Sequence, residues 1–355
     1  MRVLICAPDI FSGDAVGNHC LGVARVARRL GFAAELYAEH HDAANERVHP
    51  LSELSSAVQP DDVLFLSYSI FDPRLDKIAK LKCKKIGYFH GVTDPELLRA
   101  FEPRTAQLCQ DALSQLPALG AFDLLVANSD FSAQALESLA RHASIEVVPP
   151  VFSDMPAFIR NPDSHSVLHA NPELLMVGRV VPHKRIEDGI EILHELRNLG
   201  VPSTLSVVGS MPNYDYSKYL INYARGLGVL EHVDFKGTLD DSDLLDCFER
   251  SAVLLVTSRH EGFCVPVLEA MHYGKPVLVR AGTAAEELCL AESILPSAAP
   301  ADAWATLLAQ LVDVTGDKAE RSREIYLSRA KDILLRTSDD VWRNLFTQLA
   351  TGRTT

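Results

Sequence analysis

Two clusters of charged side chains in the second half of the sequence have the spacing to act on a phosphate ester. The first is Val177-Gly-Arg-Val-Val-Pro-His-Lys-Arg-Ile186, where Arg179 and Lys184 stand five residues apart in a loop that enters a predicted helix. Two cations there can clamp a diphosphate. Cations fixed against the charge that builds on a departing phosphate stabilise the transition state more than the ground state. The alternative is a solvated loop with two surface basics. The second cluster is Arg259-His-Glu-Gly-Phe-Cys-Val-Pro-Val-Leu-Glu-Ala-Met-His-Tyr-Gly-Lys-Pro-Val277, in which seven residues separate Glu261 from Glu269. Glu261 lies before a predicted helix. Gly262 beside it lets the backbone approach a ligand, and the amides from Phe263 and Cys264 onward form a helix start that favours anions. Glu269, about two turns in, can accept both hydroxyls of a ribose. Ordinary surface glutamates are the alternative, but Gly274, Lys275 and Pro276 end the helix into a buried strand and leave little solvent-facing helix for them.

The first half offers lesser candidates. His90, in Gly87-Tyr-Phe-His-Gly-Val-Thr-Asp94, follows a buried strand, and Gly91 permits close approach of a ligand; a structural histidine at a strand end is the alternative. Asn128 and Ser129 hold the matching place one strand on and can reach an acceptor, or Ser129 can cap the helix that follows. Asp241-Ser-Asp243 mimics a DxD metal motif, yet it precedes an apolar-periodic helix where Asp is the expected N-cap. The basic run Lys80-Leu-Lys-Cys-Lys-Lys85, with Arg25, Arg28 and Arg29, can meet anionic lipid headgroups; solvated faces are the commoner use of such runs.

These residues need strands to carry them. Short aliphatic or β-branched runs alternate with amphipathic segments: Arg2 to Ala7, Ala34 to Ala38, Val63 to Ser67, Lys85 to Phe89, Leu124 to Ala127 and Glu146 to Val148 in the first half. A second series follows at Leu174 to Val177, Leu205 to Val208, Val233 to Phe235, Val253 to Val256, Val277 to Val279 and Ile294 to Leu295. Strands alternating with helices imply parallel sheets covered on both faces. A chain of 355 residues exceeds what one core usually organises, and Pro149, Pro150, Pro156, Pro162 and Pro172 mark a connection between two domains. The expected division is 1–155, 156–335, and a C-terminal helix at 336–355 returning to the first domain. Ligands of open α/β sheets lie beyond the carboxyl ends of the strands, so the expected site is a central cleft between the two domains.

Composition narrows the partners. A net charge of −13 argues against nucleic acid as the main partner. Seven scattered cysteines, without a CxxC pair, imply neither a zinc ribbon nor a disulfide framework and fit a reducing cytoplasm. The N-terminus has too short an apolar run for a signal peptide, and no run approaches the length of a membrane span. Cytoplasmic localisation is expected, with peripheral contact at the inner face of the plasma membrane as the option left by the basic runs.

The GRxxxxK element at Gly178, Arg179 and Lys184, together with the E-x7-E element at Glu261 and Glu269, resembles the GT4 group of retaining glycosyltransferases of the GT-B fold, and the likeness covers nearly the whole chain in order and spacing. The resemblance implies two doubly wound Rossmann-like domains, with the donor domain second. It implies that Arg179 and Lys184 contact the donor diphosphate, that Glu269 holds the ribose, and that Glu261 with the amides of Gly262, Phe263 and Cys264 holds sugar hydroxyls and phosphate. Gly209, following the strand Leu205 to Val208, joins the donor-binding set. His90 then looks like the histidine lying against the donor sugar. In the loop Ser12-Gly-Asp-Ala-Val-Gly-Asn-His-Cys20, Gly17 and Asn18 stand where the group commonly has Gly-Gly, which leaves Asn18 as a hydrogen-bond donor. The implied activity is metal-independent transfer of a hexose, with retention, from a nucleotide-sugar to a glycan or lipid-linked acceptor. No cofactor is implied. The Tyr88-Phe-His-Gly91 loop resembles members that build bacterial surface polysaccharides or lipopolysaccharide, implying GDP-mannose or a related GDP-deoxyhexose as donor. The competing readings are a nucleotide-sugar 2-epimerase of the same fold and a non-catalytic nucleotide-sugar binding protein.

Overall fold

The computed structural model describes residues 1–42, 46–139, 144–152, 156–159, 171–312 and 316–351. Its contacts divide the chain into two units. One comprises Met1–Val92, Gln107–Asp154 and Leu334–Thr355; the other comprises Thr93–Ala106 and Met155–Ile333. Of the proline-rich connection, 153–155 and 160–170 lie outside the described residues.

In the first unit the aliphatic runs become strands β1 (Arg2–Cys6), β2 (Ala33–Ala38), β3 (Val48–Pro50), β4 (Val63–Tyr68), β5 (Lys84–Phe89), β6 (Leu124–Ala127) and β7 (Ser144–Val147). They form one parallel sheet in the order β3-β2-β1-β4-β5-β6-β7, with Val3 opposite Ala34 on one side and Val63 on the other. Helix α1 (Ala15–Arg29) starts at Asp14, whose carboxylate accepts from the amides of Val16 and Gly17, and it buries Cys20, Val23, Ala24 and Ala27 along one stripe. Gly31, at φ 88, lets the chain turn off it. The C-terminal helix Asp339–Thr351 adds Trp342, Leu345, Phe346 and Leu349 to the same core as Val3, Val23 and Phe65. Strand β3 had no counterpart in the sequence pattern. It is three residues long, ends in Pro50 and lies at the sheet edge, where proline is tolerated and periodicity is too short to read.

The second unit contains β8 (Glu173–Val177), β9 (Thr204–Val208), β10 (Val233–Gly237), β11 (Val253–Val256), β12 (Val277–Arg280) and β13 (Ile294–Leu295), parallel and ordered β10-β9-β8-β11-β12-β13. Helices α2 (Ile186–Asn198), α3 (Asp241–Arg250) and α4 (Val265–His272) connect them. Leu174 of β8 lies opposite Leu205 and Val253, and Ile190, Leu193 and Trp304 pack into the same core. The segment Thr93–Ala106, placed in the first domain by its sequence position, groups with this unit. The Asn213 amide donates to the Phe101 carbonyl at 2.8 Å, and the Phe101 ring lies 5.1 Å from that of Tyr216. Topology fixes where a ligand can sit. After β8 the chain runs outward to β9 and β10, then returns to β11 on the other side of β8, so the loops leaving β8 and β11 flank the point where the strand order reverses, which is where open α/β sheets bind ligands.

Candidate functional site

Both charged clusters leave strands that flank this switch point. Strand β8 is followed directly by Gly178 (φ 138), whose amide donates to the Val208 carbonyl at 2.9 Å. Gly209 ends β9 at φ 142, and a Cβ there would lie 2.0 Å from the Gly178 carbonyl oxygen. A side chain at Gly209 is therefore excluded by its packing against Gly178. Beyond them, one 3-10 turn, Pro182–Lys184, closes onto Arg185 in the left-handed region (φ 53, ψ 51). The Lys184 ammonium lies 2.7 and 2.8 Å from the two oxygens of Glu261, which is 7% exposed. Burial opposes the charge of Lys184, but attraction to Glu261, with the hydrogen bond to it, holds its pKa above the ordinary lysine value. An ammonium carries three N–H donors, so the pair with Glu261 leaves one for a ligand. Arg179 is exposed and makes no hydrogen bond or ion pair among the described residues, yet it is close enough to Lys184 to oppose the lysine's charge.

The second loop is tied to the first by the Arg259 amide, which donates to the His183 carbonyl at 2.8 Å. The backbone freedom expected at Gly262 is found two residues on. Gly262 has no positive φ, whereas Cys264 is left-handed (φ 78, ψ 70) and forms the N-cap of α4. No side chain caps this helix, and both Phe263 and Cys264 are buried. Glu269 is 6% exposed, with no hydrogen bond to its carboxylate among the described residues. Burial, with a lesser push from Asp241, raises its pKa to about 7. The DxD-like stretch serves helix α3: Asp240 is its N-cap, accepting from the Asp243 amide at 2.9 Å, with Asp241 and Asp243 in the first turn.

The first-unit candidates are held mostly by their own unit. His90 lies at the end of β5 with its Nε2 2.7 Å from the Ser67 hydroxyl, and burial pushes its pKa down to about 3, so the ring is neutral. Asn128 donates through Nδ2 to the His90 carbonyl at 3.2 Å. The Ser129 hydroxyl caps the helix Asp130–Gln134 by accepting from the Ser132 amide, which is the capping alternative to an acceptor contact. Gly17 is needed for packing, since a Cβ would lie 2.0 Å from the Phe11 carbonyl oxygen. Asn18, expected as a donor, accepts from the Gly13 amide through Oδ1. Sequence reasoning passed over His19, 1% exposed, whose Nδ1 accepts from the Val151 amide while Nε2 has no hydrogen-bond partner among the described residues. The basic runs are largely occupied: Arg28 pairs with Glu46, Arg29 with Asp339, Lys84 with Asp123, and Lys85 donates to the carbonyls of Leu81 and Cys83. Among the described residues no helix is long and apolar enough to cross a membrane.

Residues 160–326 match the family described as glycosyl transferases group 1. The chain is 32% identical over 178 residues to a glycogen synthase of Mycobacterium tuberculosis, a match covering 50% of this chain and 41% of that protein. It is 31% identical over 162 residues to a GDP-mannose-dependent alpha-(1-6)-phosphatidylinositol monomannoside mannosyltransferase of Mycolicibacterium smegmatis, covering 41% of this chain and 40% of that one. The chain thus spans about two fifths of the length of these relatives. Among solved structures, HepE of Anabaena in complex with UDP-glucose superposes with a TM-score of 0.75 at 16% identity, over 99% of this chain and 100% of that one. The likeness over the whole chain is one of fold, and the sequence match of the family lies in the second unit.

Proposed function

We propose that this chain, which matches the glycosyl transferases group 1 family over residues 160–326 and has the GT-B fold, is a retaining, metal-independent hexosyltransferase, moving a hexose from a nucleotide-diphosphate sugar to a glycan or lipid-linked acceptor. The observation that carries the reading is the placement of Arg179, the Lys184–Glu261 pair and Glu269 around one switch point. Arg179, without a partner among the described residues, and the third donor of Lys184 meet the departing diphosphate, whose negative charge is largest in the transition state. Glu261 aims Lys184 and keeps it charged within a buried setting. Glu269 accepts the ribose hydroxyls, and the uncapped start of α4 adds its amides to the phosphate. With the charge of the leaving group met by side chains, no resident cation is required. No carboxylate is assigned as a covalent nucleophile, so the acceptor attacks from the face the diphosphate leaves. A phosphate oxygen takes its proton.

Bacterial surface polysaccharide assembly on the inner membrane face is the proposed setting. The named relative using GDP-mannose supports a GDP-sugar; the HepE complex supports a UDP-sugar. A thermal-shift panel of UDP, GDP, dTDP and ADP in excess EDTA decides between them. A nucleotide at 100 times its dissociation constant should add about 2.7 kcal/mol, and stabilisation by none of the four would remove the donor site. Epimerised donor in the absence of acceptor would replace transfer with 2-epimerisation.

A further inference from the structure

Successive residues Lys184 and Arg185 send their side chains in opposite senses. Lys184 reaches Glu261. Arg185 reaches Glu187 at 2.7 Å and Asp188 at 2.6 Å, at the start of α2. The left-handed backbone of Arg185 makes this divergence possible, and a non-glycine residue adopts it only where the surroundings impose it. What imposes it here is Thr257, fully buried just beyond β11. Its hydroxyl oxygen lies 3.0 Å from the Lys184 carbonyl oxygen and 2.8 Å from that of Arg185, so a single proton is shared between them in a three-centre bond. Thr257 is itself fixed. Its carbonyl accepts from Arg280 Nε at 2.8 Å, and Arg280 also donates to the Ser297 carbonyl, pairs with Asp188 at 2.6 Å and lies over the Trp304 ring. Asp188 accepts from Arg185 on both oxygens and from Arg280 on Oδ2, closing the loop of contacts.

We propose that Thr257 is the positioning residue for Lys184. Its hydroxyl holds the turn that aims the ammonium, with Arg280 as its support, and this assignment rests on the reading of Lys184 as a cation for the leaving diphosphate. Thr257 touches no substrate and acts only through the backbone of Lys184 and Arg185. Losing the hydroxyl lets the ammonium drift, and small misplacements of a catalytic charge are felt in the transition state more than in donor binding.

The test compares Thr257→Val, which keeps the shape and removes the hydroxyl, with Thr257→Ser, which keeps the hydroxyl. In Thr257→Val, kcat falls about 10-fold or more while donor KM stays within about threefold; Thr257→Ser stays within about threefold of the parent in both. Independently of turnover, acylation of the Lys184 amine, followed by mass spectrometry of the digested protein, is faster in the valine variant and unchanged in the serine variant. If the valine variant does not fold, Thr257→Cys, with its weak donor, takes its place. Equal kcat and equal labelling in Thr257→Val, or a serine variant as impaired as the valine one, overturns the proposal. A parent protein that turns over no nucleotide-sugar sinks the proposed function, and the labelling comparison still decides the role of Thr257.

Discussion

Replacing Glu269 by glutamine removes a charge that folding places at a disadvantage. The carboxyl is 6% exposed, has no hydrogen bond among the described residues, and ionises at about 7 because burial disfavours the anion; in the unfolded chain it ionises at about 4.3. Below about pH 4 both states hold the proton and the site costs nothing. As pH rises the unfolded chain releases its proton first, so native stability falls until the folded carboxyl ionises as well, near 7, and is level above that. With about 1.4 kcal/mol per pKa unit, the accumulated cost is about 1.5 kcal/mol at pH 5.5 and about 3.5 at pH 8. Glutamine has no such term. The stability of Glu269→Gln relative to the parent should therefore rise by about 2 kcal/mol between pH 5.5 and pH 8. Urea unfolding measures it. In a Trp342→Phe background, the buried Trp304 alone reports the second unit. A stability difference independent of pH would refute the reasoning from burial. Nucleotide binding by the parent should decline below pH 7, because ribose hydroxyls donate to the carboxylate and not to its protonated form, and the variant should lack that decline.

The other expectations follow from the same geometry. Arg179→Ala should lower kcat by roughly 10² and leave the melting temperature unchanged, since the side chain is exposed and unpaired; near-normal kcat would detach it from the diphosphate. Lys184→Ala should lose kcat similarly and also stability, because it strands the buried Glu261 carboxylate, and adding Glu261→Gln should recover part of the melting temperature but none of the activity. Cys264→Gly should raise stability by about 1 kcal/mol by relieving a left-handed backbone, seen as a higher urea midpoint; a lower midpoint would mean that the thiol's packing outweighs the strain.

The strands and their order of use were legible because alternating short aliphatic runs and amphipathic segments are local signals. So were the two charged loops, each directly after a strand, which is where an open α/β sheet presents its ligands. What sequence could not supply were the pairings made by sheet order. Lys184 and Glu261 are 77 residues apart and meet only because β8 and β11 are neighbours. Thr257, Arg280 and Asp188 carry no motif and become visible only once three strand ends are brought together. Gly262 drew the expectation of backbone freedom because glycine is the usual left-handed residue, while the chain places that conformation on Cys264. Conversely, Ser129 and Gly17 occupy suggestive loop positions, and the structure employs them in a helix cap and a backbone contact. The first unit's strands were readable in the same way, but its candidate residues sit in hydrogen bonds that serve the unit itself.

A crystal structure of the protein with the nucleoside diphosphate that stabilises it, grown in EDTA, tests the central claim most directly. The account predicts diphosphate oxygens within about 3 Å of Arg179 and Lys184 nitrogens and ribose hydroxyls on the Glu269 carboxylate. A nucleotide bound elsewhere, or bound here with its diphosphate turned away from both cations, would contradict it.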